Sequence, residues 1–300
     1  MRVSGFSIIR DGVRFGYPFV ESLRSILPLV DEFILAVGRS SDETLAVARA
    51  VGSPKLRIIE TEWDESLRRD GLIMAQQTNL ALQHCTGDWC FYLQGDEVIH
   101  EADYDRIEQS MRRYLPRTRI EGLSFRYRHF YGSYQLINPL PYRRQIRIVR
   151  RGVGVQSVLD ACGFAVNGRK LHSKSTGAQV YHYGWVRNPV VLQDKQATFI
   201  RFYHGDEVGQ NGAAPTAQEK FEYQTGACVP FRGTHPMVMA PVIARQDWPE
   251  PAYRFTPRWR NALWWKGFSR KNFRTIYRLL ERSPSDNHKQ PERELCKTAA

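Results

Sequence analysis

The chain has 300 residues, 42% hydrophobic, 12% aromatic and 25% charged, a composition that excludes disordered, collagen-like and fibrous classes and allows one large α/β domain or two small ones. Its 43 Lys and Arg against 31 Asp and Glu leave a net charge of +12, so it should be drawn to an anion: nucleic acid, a membrane surface or a phosphorylated substrate.

The first hundred residues alternate between strand and helix patterns. Residues 3–9 form a short apolar strand pattern, residues 17–27 carry helical spacing (Phe19, Val20, Leu23, Ile26, Leu27), and residues 32–37 read as a second buried strand. Ser40, Ser41 and Asp42 each offer a cap for a helix running to about residue 51. Residues 55–62 predict a third strand, 69–84 a long helix, and 89–93 a fourth strand that runs into Gln94-Gly95-Asp96-Glu97. Repeated β-α units with short connections predict an α/β fold with a mainly parallel sheet and helices on both faces.

After a helix at 103–114 the texture changes. Residues 122–131 and 143–150 read as longer, more polar strands of a smaller antiparallel region with one exposed face. A short strand at 180–185 and a helix at 190–203 follow, and the polar, Gly-rich stretch 204–218 reads as a loop. Residues 253–282 hold nine Lys and Arg against the single acid Glu281, a local +8 that leaves only +4 for the rest of the chain. Eight aromatics, including Trp259, Trp264 and Trp265, are interleaved there, which suits a helical segment resting at headgroup level on a membrane or stacking on a ligand. Residues 283–300 have almost no large apolar side chains and read as a disordered tail. With the charge concentrated in this one segment, nucleic acid is not the expected partner.

Five widely spaced cysteines without a CxxC pair indicate neither a disulfide framework nor a zinc ribbon, and they read as reduced thiols. No run approaches the roughly 18–20 apolar residues of a spanning helix, and residues 1–16 lack the apolar stretch of a signal peptide. The expectation is a cytoplasmic protein, with 253–282 able to touch the inner face of a membrane.

In an open parallel sheet, ligands lie beyond the carboxyl ends of the strands. The segment after the fourth strand is the most informative, because Asp96 and Glu97 there could hold a divalent cation that neutralises a diphosphate. The plainer alternative is a pair of solvated loop acids.

The order of motifs resembles family 2 glycosyltransferases of the GT-A fold. The resemblance rests on Ser4-Gly5-Phe6-Ser7-Ile8-Ile9-Arg10-Asp11, Val30-Asp31-Glu32-Phe33-Ile34-Leu35-Ala36-Val37, Ser40-Ser41-Asp42-Glu43-Thr44, Asn79, Gly87-Asp88-Trp89 and Tyr92-Leu93-Gln94-Gly95-Asp96-Glu97. It implies a Rossmann-like nucleotide-sugar-binding half at 1–115, an acceptor-side half of the same domain at 116–250, the basic segment at 251–282 and the tail at 283–300. It further implies that Asp96, the last residue of the family's Asp-x-Asp motif, binds Mg²⁺ or Mn²⁺ with Glu97 beside it. The chain departs from the pattern where the first Asp is Gln94, an amide that bonds a ribose hydroxyl without adding charge. The acids often found at the tip of the second strand are Val37 and Gly38, leaving Arg10, Asp11, Asp42 and Asn79 as nucleotide-side candidates.

A late His-x-Gly-Trp strand end, His182-Tyr183-Gly184-Trp185, looks like the element that supplies these enzymes with a further metal ligand; a histidine packed among aromatics is the alternative. Arg187 and Lys195 are candidate diphosphate clamps. An inverting transfer needs a carboxylate base beside the acceptor hydroxyl, for which Asp160 is the candidate and Glu121 its rival. The resemblance thus implies glycosyl transfer from a nucleotide-diphosphate sugar to a glycan or lipid-linked acceptor. Its alternatives are a nucleic-acid-binding protein, motivated by the +12, and a non-catalytic relative, motivated by Gln94; a nucleotidyltransferase is disfavoured because residues 9–14 lack its Gly-rich loop.

Overall fold

The computed structural model describes residues 1–204, 221–223 and 225–253. In chain order the parallel part comprises β1 (Val3–Ile9), α1 (Phe19–Ile26), β2 (Glu32–Gly38), α2 (Thr44–Arg49), β3 (Leu56–Thr61), α3 (Leu72–Gln83) and β4 (Trp89–Tyr92). There follow β5 (Glu97–Ile99), α4 (Tyr104–Tyr114), β6 (Gly122–Tyr131), β7 (Ser133–Ile137), β8 (Arg144–Arg150), β9 (Val155–Val158), β10 (Gly163–Val166) and β11 (Arg169–Lys170). The remaining elements are β12 (Ser173–Trp185), α5 (Pro189–His204), β13 (Val229–Pro230) and α6 (Ala240–Ala244).

The expected parallel sheet is present in the order β3-β2-β1-β4, that of a Rossmann half. Side-chain alternation decides what each face buries. In β2, Phe33, Leu35 and Val37 join Leu23 and Ile26 of α1 and Ile107 and Met111 of α4 in one core layer. Ile34 and Ala36 point the other way, to Ile73, Met74 and Ala81 of α3. Helices therefore cover both faces. Gly5 is required in β1 because a Cβ there would sit 2.5 Å from the Phe33 ring.

The antiparallel strands extend this same sheet, which corrects the expectation of a smaller region beside it. β8 pairs antiparallel with β4 and β6, giving a ten-stranded sheet in which β12 joins β6 in parallel and β5 in antiparallel register. The strand expected at 180–185 is thirteen residues long and starts at Ser173. Its polar, mostly exposed first half has no apolar alternation to reveal it and is extended because β6 offers it a partner. A small sheet of β9, β10 and β11 stands apart.

Cys85, Cys90 and Cys228 are buried free thiols. The basic aromatic segment and the tail lie outside the described residues from residue 254 onward, as does the polar loop from 205 to 218. Among the described residues no helix is long and apolar enough to cross a membrane.

Candidate functional site

Parallel pairing aligns the carboxyl ends of β1 to β4 on one edge, so Arg10-Asp11, the 39–44 loop, residues 62–65 and the turn 93–96 converge. Two later elements complete the edge. The register of β12 on β5 sets His182 opposite Glu97, next to Asp96. Helix α5 lies across the edge: Asp194 accepts two 2.7 Å hydrogen bonds from Arg14, Arg187 Nη1 donates to the Phe15 carbonyl, and the Asp70 and Gly71 N–H groups donate to the Tyr203 and Phe202 carbonyls. This docking carries Lys195 over the turn.

Asp96 is the focus. Its Oδ2 lies 3.5 Å from Arg187 Nη2 and 3.5 Å from Lys195 Nζ, and its Oδ1 is 3.7 Å from His182 Nε2. The Tyr183 N–H donates to the Asp96 carbonyl, which fixes the turn against β12. Burial alone would raise the carboxyl pKa, but Lys195, His182 and Arg187 together overcome it and bring it down to about 2. Asp96 is an anion at neutral pH. Lys195 is pushed the opposite way: burial and the neighbouring Arg187 lower its ammonium to about 7 against the pull of Asp96. Both cations pack on the Tyr17 ring, with Arg187 4.2 Å and Lys195 4.6 Å from its centroid. Arg187 is 2% exposed, and its Nε and Nη2 have no hydrogen-bond partner.

His182 is backed by His129. Their Nδ1 atoms are 3.1 Å apart, and His129 Nε2 is 2.8 Å from the Tyr142 carbonyl. Burial and the adjacent His182 lower His129 to about 3, and burial also lowers His182, so both rings are neutral at pH 7.

Glu97 is not free to hold a metal, which corrects that expectation. Arg147 donates to both of its oxygens at 2.8 Å, both side chains are fully buried, and Oε1 and Oε2 also accept from the Tyr127 hydroxyl and the Gln94 N–H. A cation there would have to displace a buried guanidinium. The pair instead braces the turn 94–97 against β6 and β8.

The other sequence candidates divide. Arg10 and Asp11 line a cavity of about 190 Å³ next to the site, together with Arg14, Glu65, Arg68 and Arg201. Arg10 is paired with Glu65 at 2.7 Å and stacks over Trp63. Asp11 has a left-handed backbone (φ 49°) and accepts from the Ser41 N–H at 2.7 Å. Asp42 accepts from the Arg14 and Thr44 N–H groups; burial would raise its pKa, but these bonds and the Thr44 hydroxyl lower it. Both acids therefore shape the loops beside that cavity. Gln94 donates to the Ala161 carbonyl at 3.3 Å, which brings the 159–162 loop and Asp160 beside the turn. Asp160 accepts from the Tyr203 hydroxyl at 2.6 Å.

Asn79 and Glu121 are elsewhere. Asn79 spends both ends of its amide on the Ser157 backbone, pinning α3 to β9. Glu121 pairs with Arg169 and accepts from the His172 N–H, opposite the start of β12. It lies eight residues along β6 from His129, roughly 26 Å at the usual strand rise. The Arg169 hydrogen bond is the main cause that brings its pKa down to about 2, so it is an ion-paired acid and no base for this site.

Asp96 and His182 are the residues present that fit a divalent cation. Nitrogen and oxygen with facing lone pairs suit Mn²⁺ or Mg²⁺ when phosphate oxygens complete the set. Among the described residues no third His, Cys, Asp or Glu joins them. Sequence reasoning missed Tyr17, His129, Tyr142 and Arg147. Two of these had a signal: His129 is in phase with buried Phe125, and Arg147 with buried Gln145 and Val149, so both occupy inward positions of their strands.

No protein-family model and no curated protein matches the chain. Among solved structures it is similar to TarS of S. aureus, at 13% identity over 66% of this chain and 39% of that one, with a TM-score of 0.39. A shorter TarS structure in complex with UDP gives 13% identity, 66% and 64% coverage and a TM-score of 0.38, and one in complex with UDP-GlcNAc 12%, 66%, 65% and 0.39. The match thus spans less than two thirds of each of these chains. Likeness at this level assigns no activity here.

Proposed function

We propose that the protein transfers a glycosyl group from a nucleoside-diphosphate sugar to an acceptor hydroxyl in polysaccharide, glycolipid or glycoprotein assembly. The observation that carries this reading is the buried guanidinium of Arg187 at the carboxyl edge of the parallel strands, whose Nε has no hydrogen-bond partner and whose Nη2 meets Asp96 only as an ion pair at 3.5 Å. Arg187 and protonated Lys195 set two positive charges against the one carboxylate of Asp96. Buried donors left unmet are costly, by about 1–3 kcal/mol each, and a diphosphate supplies both the acceptors and the missing negative charge.

Glycosyl transfer builds negative charge on the leaving diphosphate as its bond to the anomeric carbon breaks. Arg187 and Lys195 meet that charge from fixed positions, held by Tyr17 and by the docking of α5. A divalent cation held by Asp96 and His182 would neutralise the diphosphate further when bound. Arg10 and the 39–44 loop are assigned to the nucleoside side, and the Gln94 amide to a ribose hydroxyl. Asp160, half-buried on the loop that meets Gln94, is assigned as the base that takes the acceptor proton.

The test is a binding and hydrolysis screen of nucleotide sugars with Mn²⁺, Mg²⁺ or chelator, comparing the wild type with Asp96→Ala. The expected result is binding of at least one sugar nucleotide and its loss in the variant. A wild type that binds no nucleotide but binds nucleic acid tightly and in a salt-sensitive way would overturn the reading in favour of its rival.

A further inference from the structure

We propose that His129 is a positioning residue that fixes the tautomer of His182 and thereby keeps the Nε2 lone pair of His182 turned towards Asp96. The inference rests on the nucleotide-sugar reading for the purpose of that lone pair, and on geometry alone for its existence.

The parallel register of β6 and β12 makes His129 and His182 direct neighbours, with ring centroids 5.0 Å apart at 72°. The 3.1 Å contact between their Nδ1 atoms holds one proton, since two N–H groups would clash and two lone pairs would repel. The carbonyl of Tyr142 decides which ring owns it. A carbonyl only accepts, so His129 Nε2, 2.8 Å away, carries the hydrogen. Neutral His129 then has a bare Nδ1, and His182 must donate from its own Nδ1. What is left on neutral His182 is a bare Nε2, 3.7 Å from the carboxylate oxygen of Asp96. Two acceptors facing each other across that gap call for a cation or a donor group between them.

The His129 ring has little freedom to choose otherwise. Tyr127 stacks on it at 5.3 Å and Tyr142 meets it edge-on at 4.8 Å. Backing a ligand imidazole through its second nitrogen fixes both its orientation and its tautomer, and losing such a partner typically weakens metal affinity by about 10–100-fold.

The experiment reads the tautomer directly. Protein ¹⁵N-labelled at histidine is examined by long-range ¹H–¹⁵N correlation at neutral pH, with the His182 signals identified by their loss in His182→Gln. Mn²⁺ binding is measured separately by electron paramagnetic resonance, with Mn²⁺ as the probe. In the wild type His182 should carry its proton on Nδ1 and His129 on Nε2. His129→Leu should release His182 to a tautomer mixture and weaken Mn²⁺ by at least about tenfold. His129→Asn, whose side-chain oxygen accepts the Nδ1 proton, should restore both and guards against misreading a folding defect. A wild-type His182 protonated on Nε2, or a folded His129→Leu with unchanged tautomer, overturns the inference. A wild type with the stated tautomer but no Mn²⁺ binding supports the positioning role and counts against the cation, separating this inference from the proposed function.

Discussion

Gly184 runs so close to Asp96 that a Cβ built on it would lie 2.8 Å from Oδ2, and 2.7 Å from the His182 ring. A side chain at this position must displace one of the two groups. Gly184→Ala is therefore expected to fold while losing Mn²⁺ and sugar-nucleotide affinity by about tenfold or more, because small displacements at a preorganised site are expensive. Titration calorimetry together with a thermal melt checks this. Unchanged affinity in a folded variant would remove Asp96 and His182 from the binding site.

The Arg147–Glu97 pair gives a prediction about stability. Both partners are fully buried, and burial, the first cause acting on Arg147, is outweighed by Glu97, which raises the guanidinium well above its usual pKa. Removing one partner strands the other charge. Arg147→Met should cost about 3–5 kcal/mol, and adding Glu97→Gln, whose amide oxygen can accept from the Gln94 N–H while its NH2 donates to the Tyr127 hydroxyl oxygen, should restore much of the loss. Urea unfolding of the four proteins in a double-mutant cycle measures it; additive losses would contradict the coupling.

The same pair explains where the sequence stopped being legible. The parallel half was readable because β1 and β2 bury both faces and leave continuous apolar runs between helices. Asp96 stood out because it directly follows β4, whereas His182 was named through the family resemblance, with Arg187 and Lys195 beside it, and the structure gathers all four around one turn. The antiparallel half defeated the same method, since charged residues in β6 and β8 look like solvent-facing positions. Arg147 is buried only because Glu97, fifty residues away, is brought opposite it. His129 likewise acquires its role from β12. Pairings of that kind are properties of register, which local pattern does not specify.

Relocating Asn79 and Glu121 has its own test. Asn79→Ala loses two hydrogen bonds to the Ser157 backbone and should destabilise the protein by about 1–3 kcal/mol while leaving sugar-nucleotide affinity as it was. Glu121→Gln should leave both affinity and turnover unchanged. Asp160→Asn should bind the donor normally and transfer the sugar at least about a hundredfold more slowly, the scale of general-base catalysis. Normal transfer by Asp160→Asn, or a transfer defect in Glu121→Gln, would reverse the assignment of the base.

Lys195 makes stability depend on pH in a direction that can be checked. Burial and Arg187 hold its folded pKa at about 7, whereas an unfolded lysine keeps its proton to about 10.5. Between those values the unfolded chain binds more protons, so stability should rise with pH from about 7 to about 10.5, by a few kcal/mol in all. Asp96 acts at the other end: its pKa is depressed from 3.8 to about 2, so its contribution is complete above 3.8 and is lost as pH falls through 2. Urea midpoints of the wild type and Lys195→Met between pH 6.5 and 9.5 isolate the lysine. The wild type should gain on the variant as pH rises, and parallel profiles would show that Lys195 is not held near neutrality. A bound diphosphate favours the charged ammonium, so a nucleoside diphosphate should bind with proton uptake near pH 8. Calorimetry in two buffers of different ionisation enthalpy detects that proton, and its absence would place the diphosphate away from Lys195.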